Sequence, residues 1–192
     1  MKKNFLMAIM AVMTITVSAQ VEQGFRMGLR VNGGLSNVTG EGDKMTFGYG
    51  LGWVAEYNFN SNLFLQSGIG LENIAHKQER IDGTINAYYA QLPIHIGYRF
   101  GLGDMSSLFV QAGPTVGYGL FGSKVEWYNN GGGYVGESNY FDEAERFDLG
   151  VGGRVGLEFS NFQISAGVNY GVLEVNDGYH NLSINLGFAY MF

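Results

Sequence analysis

Apolar and polar side chains alternate with a period of two through most of this chain. That repeat places successive side chains on opposite faces of a β-strand. Eight segments carry it, at about 24–35, 45–59, 63–74, 86–100, 108–121, 147–159, 162–171 and 181–192. Each reaches the length of about 9–11 residues that a tilted membrane strand needs. One parity of every segment is apolar. In the second segment it reads Phe47, Tyr49, Leu51, Trp53, Ala55, Tyr57, Phe59, and in the eighth Leu182, Ile184, Leu186, Phe188, Tyr190, Phe192. The opposite parity is glycine and polar residues. It also takes every charge within the segments: Arg26, Arg30, Glu56, Glu72, Arg99, Asp148, Arg154 and Glu158, joined by His95.

Two cues decide which face looks outward. The four arginines and four acids sum to zero, which suits mutual pairing inside a narrow lumen, whereas a charge on a lipid face near the midplane costs about 2–4 kcal/mol. Aromatics also gather at segment ends. Phe25, Phe64, Phe109 and Phe162 stand at the starts of the odd segments, and Tyr57, Phe59, Tyr98, Phe100, Phe159, Tyr190 and Phe192 at the ends of the even ones. In an up-and-down barrel these ends share one rim, the place of an interfacial girdle. Inward glycines such as Gly48, Gly50, Gly52, Gly68 and Gly70 suit a crowded, strongly curved lumen.

Connections alternate in length as well. Asn60–Asn62, Gly101–Ser107 and Ser160–Asn161 are short turns, while 36–44, 75–85, 122–146 and 172–180 are longer. The pattern predicts an all-β fold, an eight-stranded antiparallel up-and-down transmembrane β-barrel, with the short turns and both termini on the periplasmic side.

The N-terminus predicts export. Lys2 and Lys3 precede an apolar run from Phe5 to Val17, and Val17-Ser18-Ala19 offers small residues for a signal peptidase. The run is too short for a helix of about 20 residues that spans a bilayer. Residues 1–19 are therefore read as a signal peptide and 20–192 as the barrel domain.

Composition narrows the function classes. Only 15% of the 192 residues are charged, against about 25% in average soluble domains. Thirty-one glycines with only two prolines fit neither a proline-rich linker nor collagen. Without cysteine there is no disulfide, thiolate metal site, cysteine nucleophile or lipid-modified cysteine. A net charge of −6 with no basic run in the body of the chain argues against nucleic acid as a partner.

Particular stretches resemble a known group. Ala90-Gln91-Leu92-Pro93-Ile94 leads to Gly97-Tyr98-Arg99-Phe100. Val110-Gln111-Ala112-Gly113-Pro114 follows, then Phe147-Asp148-Leu149-Gly150 and Gly156-Leu157-Glu158. With these motifs the chain resembles the small outer-membrane β-barrel proteins of Bacteroidetes, the PorT-like or outer membrane protein β-barrel domain group. Leu186 to Phe192 is similar to the signal read by the barrel-assembly machinery. The resemblance implies family and an outer-membrane location, and no shared activity.

Three sets of residues carry candidate function. The eight lumen charges read as a structural plug of ion pairs, since a lone buried charge is costly; the alternative is a narrow solute or ion path. His76, His95 and His180 are the only histidines, in separate elements without metal-ligand spacing. His180 with Ser183 is the sole pairing for a lipid-modifying hydrolase, and no acid completes it. The 122–146 connection holds Trp127, Tyr128, Tyr134, Tyr140 and Phe141. Aromatics amid glycine and asparagine suit recognition of a protein or glycan, or packing on the barrel mouth or lipopolysaccharide headgroups. Its acids, Glu126, Glu137, Asp142, Glu143 and Glu145, lack an EF-hand pattern. The expectation is a non-catalytic barrel without cofactor or metal, in structural or surface-interaction service. Its partners are then outer-membrane lipid and lipopolysaccharide, the barrel-assembly machinery during biogenesis, and a protein or glycan at extracellular loops. A passive channel and a lipid-modifying enzyme stand as rivals.

Overall fold

A computed structural model of the protein describes residues 24–39, 43–78, 84–103, 105–128, 134–174 and 178–192. The expected signal segment lies outside the described residues. The strands are β1 (Gly24–Thr39), β2 (Asp43–Asn58), β3 (Leu63–Gln78), β4 (Ile85–Gly103), β5 (Ser106–Gly122), β6 (Lys124–Tyr128), β7 (Tyr134–Asn139), β8 (Phe147–Phe159), β9 (Phe162–Gly171) and β10 (His180–Met191). A four-residue helix, α1 (Tyr140–Glu143), lies between β7 and β8. Eight strands close into a barrel in the order β1-β10-β9-β8-β5-β4-β3-β2, every neighbouring pair antiparallel, while β6 and β7 form a separate ribbon. Pairing of Leu29 with Tyr190 and Val31 with Phe188 joins the first strand to the last, so no barrel edge is left unpaired.

The strands run further than hydrophobic alternation alone reaches. β1 continues to Thr39, β3 to Gln78 and β4 to Gly103. The backbone ladder needs only N–H and C=O groups, so it persists beyond the apolar belt where alternation is no longer enforced. The 122–146 connection, expected as a loop, instead contains the β6–β7 hairpin and α1. At the opposite end the chain reverses tightly. Phe159 pairs directly with Phe162, and Ser160 takes the left-handed φ of 53° that a two-residue hairpin turn calls for.

The outer wall is the apolar parity. Leu51, Ile69, Val151, Ile164 and Leu186 are exposed, Leu186 at 69%. Tyr49 within β2 and Phe59 just past its end bound the belt. The ten steps between them at about 3.3 Å each, tilted by about 40°, cover about 25 Å along the barrel axis, the height of an outer-membrane apolar band. The girdle loses two expected members. Phe64 and Phe109 are 0% exposed and lie in the lumen. Their neighbours Leu65 and Val110 face outward, so parity turns both rings inward.

Candidate functional site

The lumen is layered from the short-turn side to the loop side. On the turn side Arg26, Glu56, Arg99 and Glu158 form a closed quartet. The Arg26 Nε donates to Glu56 Oε1 at 2.6 Å, and its Nη2 to Glu158 Oε2 at 2.8 Å. Arg99 completes the ring through Nη2 to Glu56 and through Nε to Glu158 Oε2 at 3.2 Å. Glu56 is 0% exposed. Two cations and two anions cancel, and further hydrogen bonds fill the remaining positions, which is what a buried ionic cluster requires. Gln66 and Gln163 donate to Glu56 and Glu158 at 2.9 Å each, and Arg99 donates to Asn58 Oδ1 at 2.7 Å. The Arg99 guanidinium also lies 4.0 Å over the Phe64 ring, which packs edge-on to Phe109. Ions and rings pack together in this layer, with Glu56, Phe64, Phe109, Arg99 and Glu158 all buried.

The other four expected charges do not join this network. Arg30 donates to the side-chain oxygens of Gln66 (2.8 Å) and Gln163 (3.3 Å). Glu72 accepts from Asn32 at 2.9 Å, and Asp148 from Asn181 at 2.7 Å. Arg154 has no ion pair among the described residues, and its Nε and Nη1 are buried without a protein partner. A zero sum over the strands did not mean pairwise contact, because register sets these four groups at different heights and on different walls. The amides Gln66, Gln111 and Gln163, which bridge the layers, went unnoticed in the sequence. Their inward parity was the signal that could have found them.

On the loop side a second layer stops the barrel. Tyr89, Ile74 and Ala87 form a buried cluster with Phe141, which belongs to α1. Phe141 meets Tyr89 edge-on at 5.4 Å, and its ring lies against Gly119. Arg146 holds it from above, with its guanidinium 5.0 Å from that ring and Nη1 donating to the carbonyls of Gly119 and Leu120 at 3.0 and 3.1 Å. Asp142 accepts the Asn139 backbone N–H at 2.9 Å and starts the helical turn. Of the five aromatics expected at the recognition loop, Phe141 is thus a stopper of the mouth. Tyr140 is half-buried beside His76, with ring centroids 5.8 Å apart. Trp127, Tyr128 and Tyr134 have their backbones in the β6–β7 ribbon, and their side chains lie outside the described residues.

The hydrolase pairing does not assemble. Ser183 lines the lumen, whereas His180 lies against the Tyr170 ring and contacts the Leu173 carbonyl through Nδ1. Residues three apart on a strand point to opposite faces. His95 is in the lumen, beside Gln111 and Thr115. Among the described residues no group of three histidine or acidic side chains is placed to hold a metal ion. Glu137 is engaged by Lys124 Nζ at 2.5 Å and Asp142 by the helix start.

The comparisons with known proteins agree with this architecture. The family model described as "Outer membrane protein beta-barrel domain" matches residues 7–192. No curated protein sequence matches the chain. Among solved structures, Neisserial surface protein A is 15% identical, with a TM-score of 0.54, over 88% of this chain and 100% of that one. Ail, the attachment invasion locus protein of Yersinia pestis, is 18% identical, with a TM-score of 0.48, over 90% and 100%. OprG from Pseudomonas aeruginosa is 14% identical, with a TM-score of 0.43, over 91% and 99%.

Proposed function

This chain belongs to the outer membrane protein beta-barrel domain family, and from that premise we propose that it is a non-catalytic barrel of the bacterial outer membrane that meets a partner at its loop side. The observation that carries the reading is the double closure of the lumen. The Arg26–Glu56–Arg99–Glu158 quartet with Phe64 and Phe109 fills the turn side, and Tyr89 with Phe141 fills the loop side. With the interior occupied, the polar surface left for recognition is the loop end, where the β6–β7 ribbon joins β5 to the rest of the chain. In this reading residues 1–19 are removed on export, and the assembly machinery inserts the barrel with its termini periplasmic and the ribbon extracellular. The belt contacts lipid, the loop rim contacts lipopolysaccharide, and the ribbon's aromatics recognise a protein or glycan.

Removing residues 125–138 while keeping α1 tests the reading. The barrel should remain folded, as judged by its heat-dependent gel mobility, and a partner crosslinked in cells to the intact protein should be lost. Retention of that partner by the shortened protein overturns the assignment to the ribbon. Single-channel steps from the purified intact protein in a planar bilayer would instead favour the channel. N-terminal sequencing of the mature protein should begin at Gln20.

A further inference from the structure

Between the two closed layers lies a cavity of about 60 Å³. Its polar walls include Arg30, Arg154, His95, Thr115, Asn169 and Asn185. Gly52, Gly68 and Gly70 line it on one side, and Gly153 and Gly167 on the other. By volume it admits roughly four or five water-sized groups.

The charge of this layer does not balance. The turn-side quartet cancels within itself, and the Asp148 carboxylate, which accepts from the neutral Asn181 amide, lies outside the cavity lining. That leaves Arg30 and Arg154 against the single carboxylate of Glu72, two positive charges minus one negative, or +1. Glu72 forms no ion pair within 4 Å with either arginine among the described residues. Its carboxylate lies against Gly50 and accepts from Asn32. Arg30 is only 8% exposed, and its Nε has no protein partner. Arg154 keeps Nε and Nη1 buried and unpartnered. A guanidinium does not escape burial by losing its proton, because it stays charged in proteins. An uncompensated charge in such a place is costly.

We propose that this cavity is a binding site for one small monovalent anion, of the size of chloride or formate, held by Arg30 and Arg154. The ion offsets the surplus positive charge among the groups that line the cavity and accepts from the guanidinium N–H groups of Arg30 and Arg154 that reach it, with charge-assisted hydrogen bonds. Thr115, His95 and the two asparagine amides, with any co-bound water, complete its surroundings. The site belongs to the lumen and does not depend on the partner-binding role of the ribbon.

Bromide is the probe. Crystals of the full mature barrel grown in sodium bromide are expected to show an anomalous peak in the lumen within hydrogen-bond distance of Arg154. The peak should be lost in Arg154→Gln and kept in Arg154→Lys. In solution, the urea unfolding midpoint in detergent should rise with bromide at constant ionic strength, and this dependence should vanish in Arg154→Gln. Heat-dependent gel mobility reports whether each variant still folds. If Arg154→Gln does not fold, Arg30→Gln serves with the same expected loss. A folded intact protein with no anomalous peak between the two arginines overturns the proposal, and so does a peak that survives both glutamine substitutions. These failures leave the ribbon's role untouched.

Discussion

Phe64 and Gly97 sit directly opposite each other on β3 and β4, and the Phe64 ring occupies the space a Cβ at position 97 would need. The same device recurs around the lumen. Gly156 makes room for Phe109, Gly50 for the Glu72 carboxylate and Gly28 for Met191, each across a strand pair. A narrow barrel cannot place two large inward side chains at one level, so a bulky residue is matched with a partner that has none. Gly97→Val should therefore force the fully buried Phe64 out of place and cost about 1–3 kcal/mol by overpacking. Gly101→Ala, where an added Cβ meets nothing within 4 Å, is the control and should stay within about 0.5 kcal/mol of the parent. Urea midpoints in detergent micelles read both, and equal midpoints for the two variants would reject the packing account.

The quartet makes a sharper electrostatic case. Glu56 takes Arg26 and Arg99 together, so Glu56→Gln leaves two guanidiniums facing the single carboxylate of Glu158. Breaking a buried pair by removing one partner costs about 3–5 kcal/mol. The double variant Glu56→Gln with Arg99→Gln restores the balance and should recover part of that loss. A double variant no more stable than Glu56→Gln alone would show that packing, and not charge, governs this layer.

The outward face is expected to respond by depth. Ile69 pairs with Trp53 near the middle of the belt and is 59% exposed, whereas Phe59 lies at the rim. Arginine at position 69 should cost about 2–4 kcal/mol in a bilayer and at position 59 about 0–1 kcal/mol. Folding titrations into lipid vesicles measure both. A smaller cost at 69 than at 59 would contradict an outward belt centred on these residues.

The barrel was legible because lipid enforces strict alternation, as in Leu182 to Phe192 or Phe47 to Phe59. Strand number follows from that alternation, the outward face from the confinement of charge to one parity, and the strand order from the alternation of short and long connections. Phe64 and Phe109 obey parity and not strand-end position, since Leu63, Leu65, Leu108 and Val110 set the phase that turns both rings inward. The pairing of charges was only half legible. Arg26 and Glu56 are opposite each other across β1 and β2, but the approach of Glu158 to both arginines depends on the stagger of β8 around the barrel. The role of Phe141 was hidden for a related reason. No period governs a segment outside the belt, and only the fold-back of α1 brings this ring over Gly119 and Tyr89.

That fold-back supplies the last expectation. Phe141→Ala removes the ring that meets Tyr89 and lies under Arg146. A full Phe→Ala truncation in a core costs about 3–5 kcal/mol, but here the loss falls on a local unit. The ring of Phe141 is a main tie of α1 to the barrel, beside the Tyr140 N–H bond to the Ser123 carbonyl and the ring contact of Tyr140 with His76. The variant should therefore keep its heat-dependent mobility while the Ala144 amide, which bonds to the Tyr140 carbonyl, exchanges at least about tenfold faster, the ratio that 1.4 kcal/mol sets. It should also remain silent in a planar bilayer, because the quartet with Phe64 and Phe109 still closes the turn side. Steady conductance from Phe141→Ala would mean that the turn-side layer does not seal, and that the loop-side stopper alone keeps the lumen shut.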